Sequence, residues 1–160
     1  MRKLIHIILL LFALPAPAGN VKDAVLVTLY EDSAGHLLRT REVKIYRSGR
    51  VVEETYNFLS TSGPSETHRI KKLKRLTKPQ LTRVVASLSE NGFESLPTVL
   101  DLAKGIVPDA PHRRITAYEG GREHSVQWNN FNDDPSSRET IRFTAIFIEI
   151  SLMVAPAPSI

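Results

Sequence analysis

Two glycine-containing turns constrain the fold of this chain more than any other feature. Ser48-Gly49 joins segment 42–47, in which apolar and polar residues alternate, to segment 51–59, which is rich in β-branched residues. A short turn between two such segments predicts an antiparallel β-hairpin. We expect Val43 and Ile45 to face inward on its first strand.

The second turn, Gly120-Gly121, separates segments 113–118 and 123–128 and predicts a second hairpin. Alternate residues of a strand share one face. On the second strand of this hairpin those residues are His124, Val126 and Trp128.

Two further segments are candidates for strands. Segment 24–30 is apolar and β-branched and predicts a strand, and Ser33-Ala34-Gly35 after it is a turn signal. Segment 67–76 places apolar residues three apart, which fits neither a strand nor a helix. A strand and an irregular lead-in both stay open for it.

The first helix is the best-specified element. Thr77 is followed three residues later by Gln80, the spacing of a capping box, and Asn91-Gly92 predicts a left-handed end. Between them lies an apolar stripe at helical spacing, which consists of Leu81, Val84, Val85 and Leu88.

A second helix is expected near the end of the chain. Pro135 suits a first helical position, with Asp133 or Asp134 as the N-cap, and the helix is expected to run to about Met153. Because this segment is apolar almost all round, we expect the helix to be largely buried. Its β-branched residues leave a strand as an alternative for 143–150.

These elements predict an α+β fold. Consecutive strands joined by short turns pair antiparallel, and helices collected on one face of a sheet form a second layer. We expect a two-layer sandwich in which an antiparallel sheet of two hairpins carries two helices on one face. A single domain over 19–154 and a disordered tail over 155–160 are expected.

The first eighteen residues have the three parts of a secretory signal peptide. Arg2 and Lys3 form a basic start, segment 4–14 is apolar apart from His6, and Ala16-Pro17-Ala18 is a small-residue cleavage site. The apolar run is too short for a spanning helix, which needs about 20 residues. We therefore expect export to the periplasm or the medium and removal of residues 1–18, with no stable membrane insertion afterwards.

Composition narrows the function classes. The sequence has no cysteine, which excludes a lipoprotein anchor, thiolate zinc sites and cysteine nucleophiles. Removal of the leader lowers the formal charge from +4 to +2, so overall charge gives no reason to expect a nucleic-acid partner.

One stretch of the chain is strongly basic. One interpretation is that this stretch binds an anionic surface or an acidic protein. The other is that it is a charged edge strand whose lysines discourage aggregation. The edge-strand interpretation is favoured. The residues are Arg69, Lys71, Lys72, Lys74, Arg75 and Lys78.

Segment 98–112 is the best interaction candidate by position. It is read as a long connection between two well-specified elements, and loops on a rigid scaffold often carry binding. Its candidate contact residues are Pro108, Asp109 and His112. A solvated connection with no binding role is equally expected.

No catalytic or cofactor motif is present. Glu53 and Glu54 are neighbours on a strand and so diverge, and no nucleophile elbow or phosphate loop occurs. Asp109, His112 and His124 could converge into a metal site, but histidines on the surface or packed in the hairpin are favoured. We expect neither an enzyme nor a bound cofactor or metal.

One series of local motifs consists of Tyr46-Arg47-Ser48-Gly49, Leu76-Thr77, Leu81, Leu88 and Phe93-Glu94-Ser95-Leu96-Pro97. The order of these motifs resembles small exported bacterial α+β domains such as the emfourin-type inhibitors of thermolysin-like metalloproteases. The similarity covers roughly 43–152. The resemblance implies inhibition of a protease and no catalytic residues.

Three functions therefore stand at this point. The first is an exported, non-enzymatic binding module for an unknown extracytoplasmic protein or an anionic surface. It would use segment 98–112, a hairpin edge or the basic stretch 69–78. The alternatives are a proteinaceous protease inhibitor and a small hydrolase whose site is not visible in the sequence.

Overall fold

Strands together with two capped helices give this chain a mixed α+β fold. The computed structural model describes residues 23–33, 37–59, 66–100, 111–129 and 137–155. The strands in this part of the chain are β1 (Val25–Ser33), β2 (Leu37–Tyr46), β3 (Arg50–Leu59), β4 (Glu66–Arg75), β5 (Val99–Leu100), β6 (His112–Glu119) and β7 (Arg122–Asn129). The helices are α1 (Lys78–Glu90) and α2 (Arg138–Val154), with a short 3-10 turn at Phe93–Ser95.

Within the described residues, one sheet has the strand order β4-β3-β2-β1-β6-β7-β5. Both predicted hairpins are confirmed, as β2–β3 and β6–β7, and β1 joins them by pairing antiparallel with β2 and β6. The predicted sheet of two hairpins was therefore too small. Segment 67–76, which the sequence left open, lies mainly in β4 at one edge of the sheet.

The prediction of a single long loop over 98–112 is wrong at both ends. Val99 and Leu100 form β5, which pairs parallel with β7, and His112 opens β6. The Gln127 amide donates to the Thr98 carbonyl over 2.9 Å, and Leu100 is buried. Val99 and Leu100 thus gain a hydrogen-bonded partner strand, and Leu100 also gains a place in the core.

The start of α1 agrees with its sequence signals and the start of α2 does not. Thr77 caps α1 in a capping box with Gln80, and Gly92 ends the segment in the left-handed region at φ 59°. Helix α2 begins after Ser137, so the predicted N-cap at Asp133 or Asp134 is wrong. The Thr140 amide donates to Ser137 Oγ over 3.1 Å and the Ser137 amide donates to Thr140 Oγ1 over 3.0 Å, a second reciprocal cap.

The buried side chains form one cluster that includes residues of the sheet and of both helices. Leu29 lies opposite Val43 and Ile115 in the sheet, and all three are buried. We call this side of the sheet the apolar face. The opposite side, the polar face, carries Tyr30, Glu42, Lys44, Glu54, His112 and Arg114 at the intervening positions.

Helix α2 is helical throughout 143–150, which removes the alternative of a strand. The sequence predicted a largely buried helix, but only one side of α2 is buried. Phe143, Ile146 and Ile150 are fully buried, whereas Ile148 is 49% exposed and Leu152 is 71% exposed. The apolar residues therefore form a buried side and an exposed side.

Candidate anion-binding site

A solvent-open cavity of about 610 Å³ lies at the end of the sheet where β2 turns into β3 and where β4 ends. Its lining residues come from three places along the chain and include four cations and one carboxylate. They are Asp23, Ala24, Arg47, Ser48, Arg50, Val51, Leu73, Lys74 and Arg75. We call this cavity the basic pocket.

The turn at Ser48-Gly49 builds one wall of the basic pocket. The Gly49 amide donates to the Tyr46 carbonyl over 2.9 Å, and the Gly49 carbonyl accepts from the Leu76 amide at 2.8 Å. Gly49 has a φ of 86°, and a Cβ at this position would collide with the Leu76 carbonyl oxygen. Only glycine lets the hairpin turn and the end of β4 approach this closely.

A β-bulge brings the second wall into place. Leu73 and Lys74 of β4 together stand opposite the single residue Val51 of β3, because the register shifts between Arg50 and Val52. An extra residue re-aims the side chains beside it. Leu73 packs against the core cluster, and Lys74 lines the basic pocket.

Asp23 organises the cations around it. Its carboxylate accepts from the Ser48 amide at 3.1 Å, from the Ser48 hydroxyl and from Arg50 Nε at 3.3 Å. Burial alone raises the pKa of Asp23, but the hydrogen bonds from Ser48 and Arg50 outweigh it and hold the pKa below its usual value. The carboxylate therefore stays charged and keeps the pocket assembled at neutral pH.

The three arginines are held in position by contacts that use only part of each guanidinium. Arg47 Nη2 donates to the Tyr118 carbonyl over 2.8 Å, and Arg75 Nε donates to the Ser48 carbonyl over 3.2 Å. The guanidinium of Arg50 lies 3.6 Å from the centre of the Tyr46 ring. Each guanidinium has five N–H donors, so donors remain for a ligand.

The charge balance of the basic pocket favours an anion. Arg47, Arg50, Lys74 and Arg75 against Asp23 give its lining a formal charge of +3. Guanidinium groups bind carboxylates and phosphates through paired, charge-assisted hydrogen bonds.

The structure divides the basic stretch that the sequence singled out. Lys74 and Arg75 line the basic pocket, whereas Arg69 and Lys71 are exposed further along β4, and Lys78 lies in the first turn of α1. The side chain of Lys72 lies outside the described residues. Sequence reasoning missed Asp23, Arg47, Ser48 and Arg50, although the run Arg47-Ser48-Gly49-Arg50 places two cations beside a predicted turn.

The other predicted contact residues do not meet at this pocket. Pro108 and Asp109 lie outside the described residues. His112 is in β6 on the polar face, where its ring stacks on Tyr30 with 5.1 Å between centroids and Nδ1 lies 3.7 Å from Asp32. Burial lowers the pKa of His112 and Arg114 lowers it further, against the opposing effect of Asp32.

His112 and His124 do not converge, because they occupy opposite sides of the sheet. His124 pairs with Ala117 on the apolar face and packs edge-on against Phe93 with 5.1 Å between centroids. Glu53 and Glu54 also diverge as predicted. Glu53 accepts from Arg41 at 2.9 Å, and Glu54 accepts from Lys44 at 3.1 Å on the polar face.

Among the described residues, no three histidine, aspartate or glutamate side chains are grouped so that they could hold a metal ion. In the same residues, no helix is both long enough and apolar enough to span a bilayer. Neither protein-family models nor curated proteins match this chain.

Proposed function

We propose that this protein is an exported, non-enzymatic binding module that holds an acidic segment of an extracytoplasmic protein at the basic pocket. The observation that carries the proposal is the pocket itself. Three arginines and one lysine line a cavity whose only carboxylate among the described residues already bonds Ser48 and Arg50.

The concave shape supports a projecting acidic group over a flat anionic surface. A volume of about 610 Å³ lies within the usual range for ligand sites, about 300–1,000 Å³. A carboxylate side chain can enter such a cavity and meet several N–H donors at once. A planar surface would touch only the rim of the pocket.

The position of β4 also supports a polypeptide ligand. Within the described sheet, β4 is an edge strand that pairs only with β3. An extended peptide can add to such an edge through main-chain hydrogen bonds. Arg69 and Lys71 are exposed along this edge, so an acidic peptide that begins in the pocket can continue beside cations.

We also infer that α1 and α2 form one layer over the apolar face, which makes the molecule a two-layer sandwich. The single buried cluster of sheet and helix residues supports this arrangement. The basic pocket then lies at the end of the sheet, next to the start of α1, and opens to solvent where a partner can reach it. Removal of the leader 1–18 during export completes the proposal.

The test compares two double variants that remove the same charge from the same strand. Lys74→Gln with Arg75→Gln alters the basic pocket, and Arg69→Gln with Lys71→Gln is the matched control outside it. Binding of an oligo-glutamate peptide is measured by calorimetry at two salt concentrations. We expect at least about tenfold weaker binding for the pocket variant, since the loss of even one charge-assisted hydrogen bond costs about 1.5–3 kcal/mol, and a much smaller change for the control.

Equal losses in the two double variants would show general electrostatic attraction and reject the pocket. Thermal unfolding of each variant separates lost binding from lost folding, because Arg75 also bonds the turn. Vesicles of anionic lipid are the second probe. Binding of vesicles with no binding of the peptide would replace the acidic segment by a lipid surface.

The protease inhibitor implied by the resemblance is separated by one assay. An inhibitor slows a thermolysin-like metalloprotease when the two proteins are mixed in equal amounts. A binding module of the proposed kind leaves the protease rate unchanged.

A further inference from the structure

We propose that the exposed side of α2 is a self-association surface that binds the same helix of a second copy of this chain in antiparallel orientation. The proposal is independent of the basic pocket. It concerns four apolar residues on the outer side of α2, which are Ile141, Ala145, Ile148 and Leu152. We call them the α2 seam.

The α2 seam concentrates the exposed apolar surface of the described chain. Among the described residues, the large apolar side chains that are exposed are Ile70, Ile141, Ile148 and Leu152, and three of these four lie in the seam. Their exposed fractions are 55%, 49% and 71% for Ile141, Ile148 and Leu152. Scattered exposed apolar residues are normal, but a contiguous row marks an interaction surface.

The spacing of the seam selects a helix as its partner. The four residues follow one another at intervals of four, three and four, which is the alternation of the two apolar positions in a coiled-coil heptad. The other apolar residues of α2, including Phe143, Ile146 and Ile150, are buried in the core, except Met153, which is partly buried and packs against the core. The seam is thus a second apolar stripe with no packing role in the described fold.

The seam is complementary to itself when a second copy runs antiparallel. A two-fold axis between positions 146 and 147 places Ile141 opposite Leu152 of the second copy and Ala145 opposite Ile148. The small side chain then faces a large one, which lets the two helices approach and interlock. A partner of different sequence would have to supply this pattern, whereas a second copy has it already.

Charges beside the seam agree with the antiparallel pairing. Arg142 and Glu149 lie on the side of α2 that faces α1, where Arg142 Nε donates to the Asn91 carbonyl and Glu149 accepts from Arg83. The antiparallel arrangement brings Arg142 of one copy within about two residues, roughly 3 Å along the axis, of Glu149 in the other. Opposite charges therefore meet along this flank.

The first experiment is analytical ultracentrifugation of the purified protein over a micromolar to sub-millimolar concentration series. We expect a reversible dimer. Ile148→Glu should raise the dissociation constant of the dimer by at least about tenfold, because each dimer loses two buried isoleucine contacts. Ile70→Glu is the matched control, since Ile70 is equally exposed but lies on β4, and it should leave the dimer unchanged.

The second experiment tests the orientation and uses the absence of native cysteine. Ile141→Cys and Leu152→Cys chains are oxidised separately and as a mixture. Only the mixture should form a cross-linked dimer, because equivalent positions 141 lie about 16 Å apart along antiparallel helices. Cross-linking of Ile141→Cys with itself would show a parallel pair and overturn the proposal.

Two further outcomes also overturn it. A monomer at every concentration rejects self-association, and a dimer that Ile148→Glu leaves intact places the contact elsewhere. If the monomer instead binds lipid vesicles and Ile148→Glu abolishes that binding, the seam is a membrane contact. Far-ultraviolet circular dichroism of each variant confirms that α2 still forms, as expected because glutamate favours helix.

Discussion

The two faces of the sheet share the same strands but surround their side chains differently. On β1, Val27 and Leu29 are buried in the cluster that includes both helices. Tyr30, the next residue along, faces the other way among Arg114, His112 and Asp32. Burial and the Asp32 charge raise the pKa of Tyr30 against the effect of Arg114. Side-chain packing therefore stabilises the apolar face, whereas charge interactions, and with them the pH, govern the polar face.

The largest expected effect comes from the apolar side. Phe143→Ala removes a fully buried ring that contacts Trp128 edge-on and stacks with Phe147. We expect a loss of about 3–5 kcal/mol in the free energy of unfolding, measured by chemical denaturation. Ile148→Ala on the exposed side of the same helix is the control and should cost far less in the isolated chain. Equal losses would contradict the division of α2 into a buried and an exposed side.

The next largest loss of stability is expected at the Ser48-Gly49 turn between β2 and β3. Gly49→Ala places a Cβ against the Leu76 carbonyl at a φ of 86°. We expect about 2 kcal/mol of destabilisation from strain and lost contact. Gly120→Ala also has a positive φ but meets nothing within 4 Å, so its smaller effect measures strain alone. A Gly49 variant no less stable than the Gly120 variant would show that the close approach to Leu76 has no cost.

On the polar face, Lys44 stabilises two carboxylates that stand directly opposite each other. Hydrogen bonds from Lys44 to Glu42 and then to Glu54 raise the pKa of the lysine, despite partial burial. We expect Lys44→Gln to cost about 1 kcal/mol, because like charges then face each other across β2 and β3. The cost should shrink in high salt, whereas the cost of Phe143→Ala should not. A cost that does not depend on salt would point to packing of the lysine stem.

The smallest effect depends on pH. Burial lowers the pKa of His112 below 6.5 in the folded chain, so the unfolded chain binds more protons just below pH 6.5. Stability therefore falls as the pH drops through 6.5 and levels off below the folded pKa. His112→Asn should remove this part of the pH dependence of the free energy of unfolding. Parallel stability curves for the two proteins between neutral and mildly acidic pH would contradict the assignment.

Local signals predicted the elements whose determinants lie close together in the chain. The Ser48-Gly49 turn and the capping box of Thr77 with Gln80 each satisfy backbone groups within a few residues, and Gly120-Gly121 joins the paired residues Glu119 and Arg122. Their conformations therefore follow from the residues themselves. The start of α2 was misplaced because several residues suitable as caps follow one another. Ser137 is the cap because Thr140 reciprocates its hydrogen bonds.

Segment 98–112 shows why some strands escape local reasoning. Val99 and Leu100 have no turn or alternation around them to mark a strand, and β5 forms only because β7 offers a parallel edge. The pairing partner lies almost thirty residues further along the chain, so its contribution becomes visible only after the sheet is assembled.

By itself the sequence determined the two hairpins, the first helix and the presence of a strongly basic stretch. The tertiary structure alone decided where the basic pocket lies, because Asp23, the Arg47 to Arg50 turn and Lys74 meet only when β1, β2 and β4 are aligned and the bulge re-aims β4. It also decided which side of α2 is exposed. Because α2 is apolar nearly all round, its sequence does not mark which side faces the core. The tertiary structure packs one side of α2 against the sheet and leaves the α2 seam exposed.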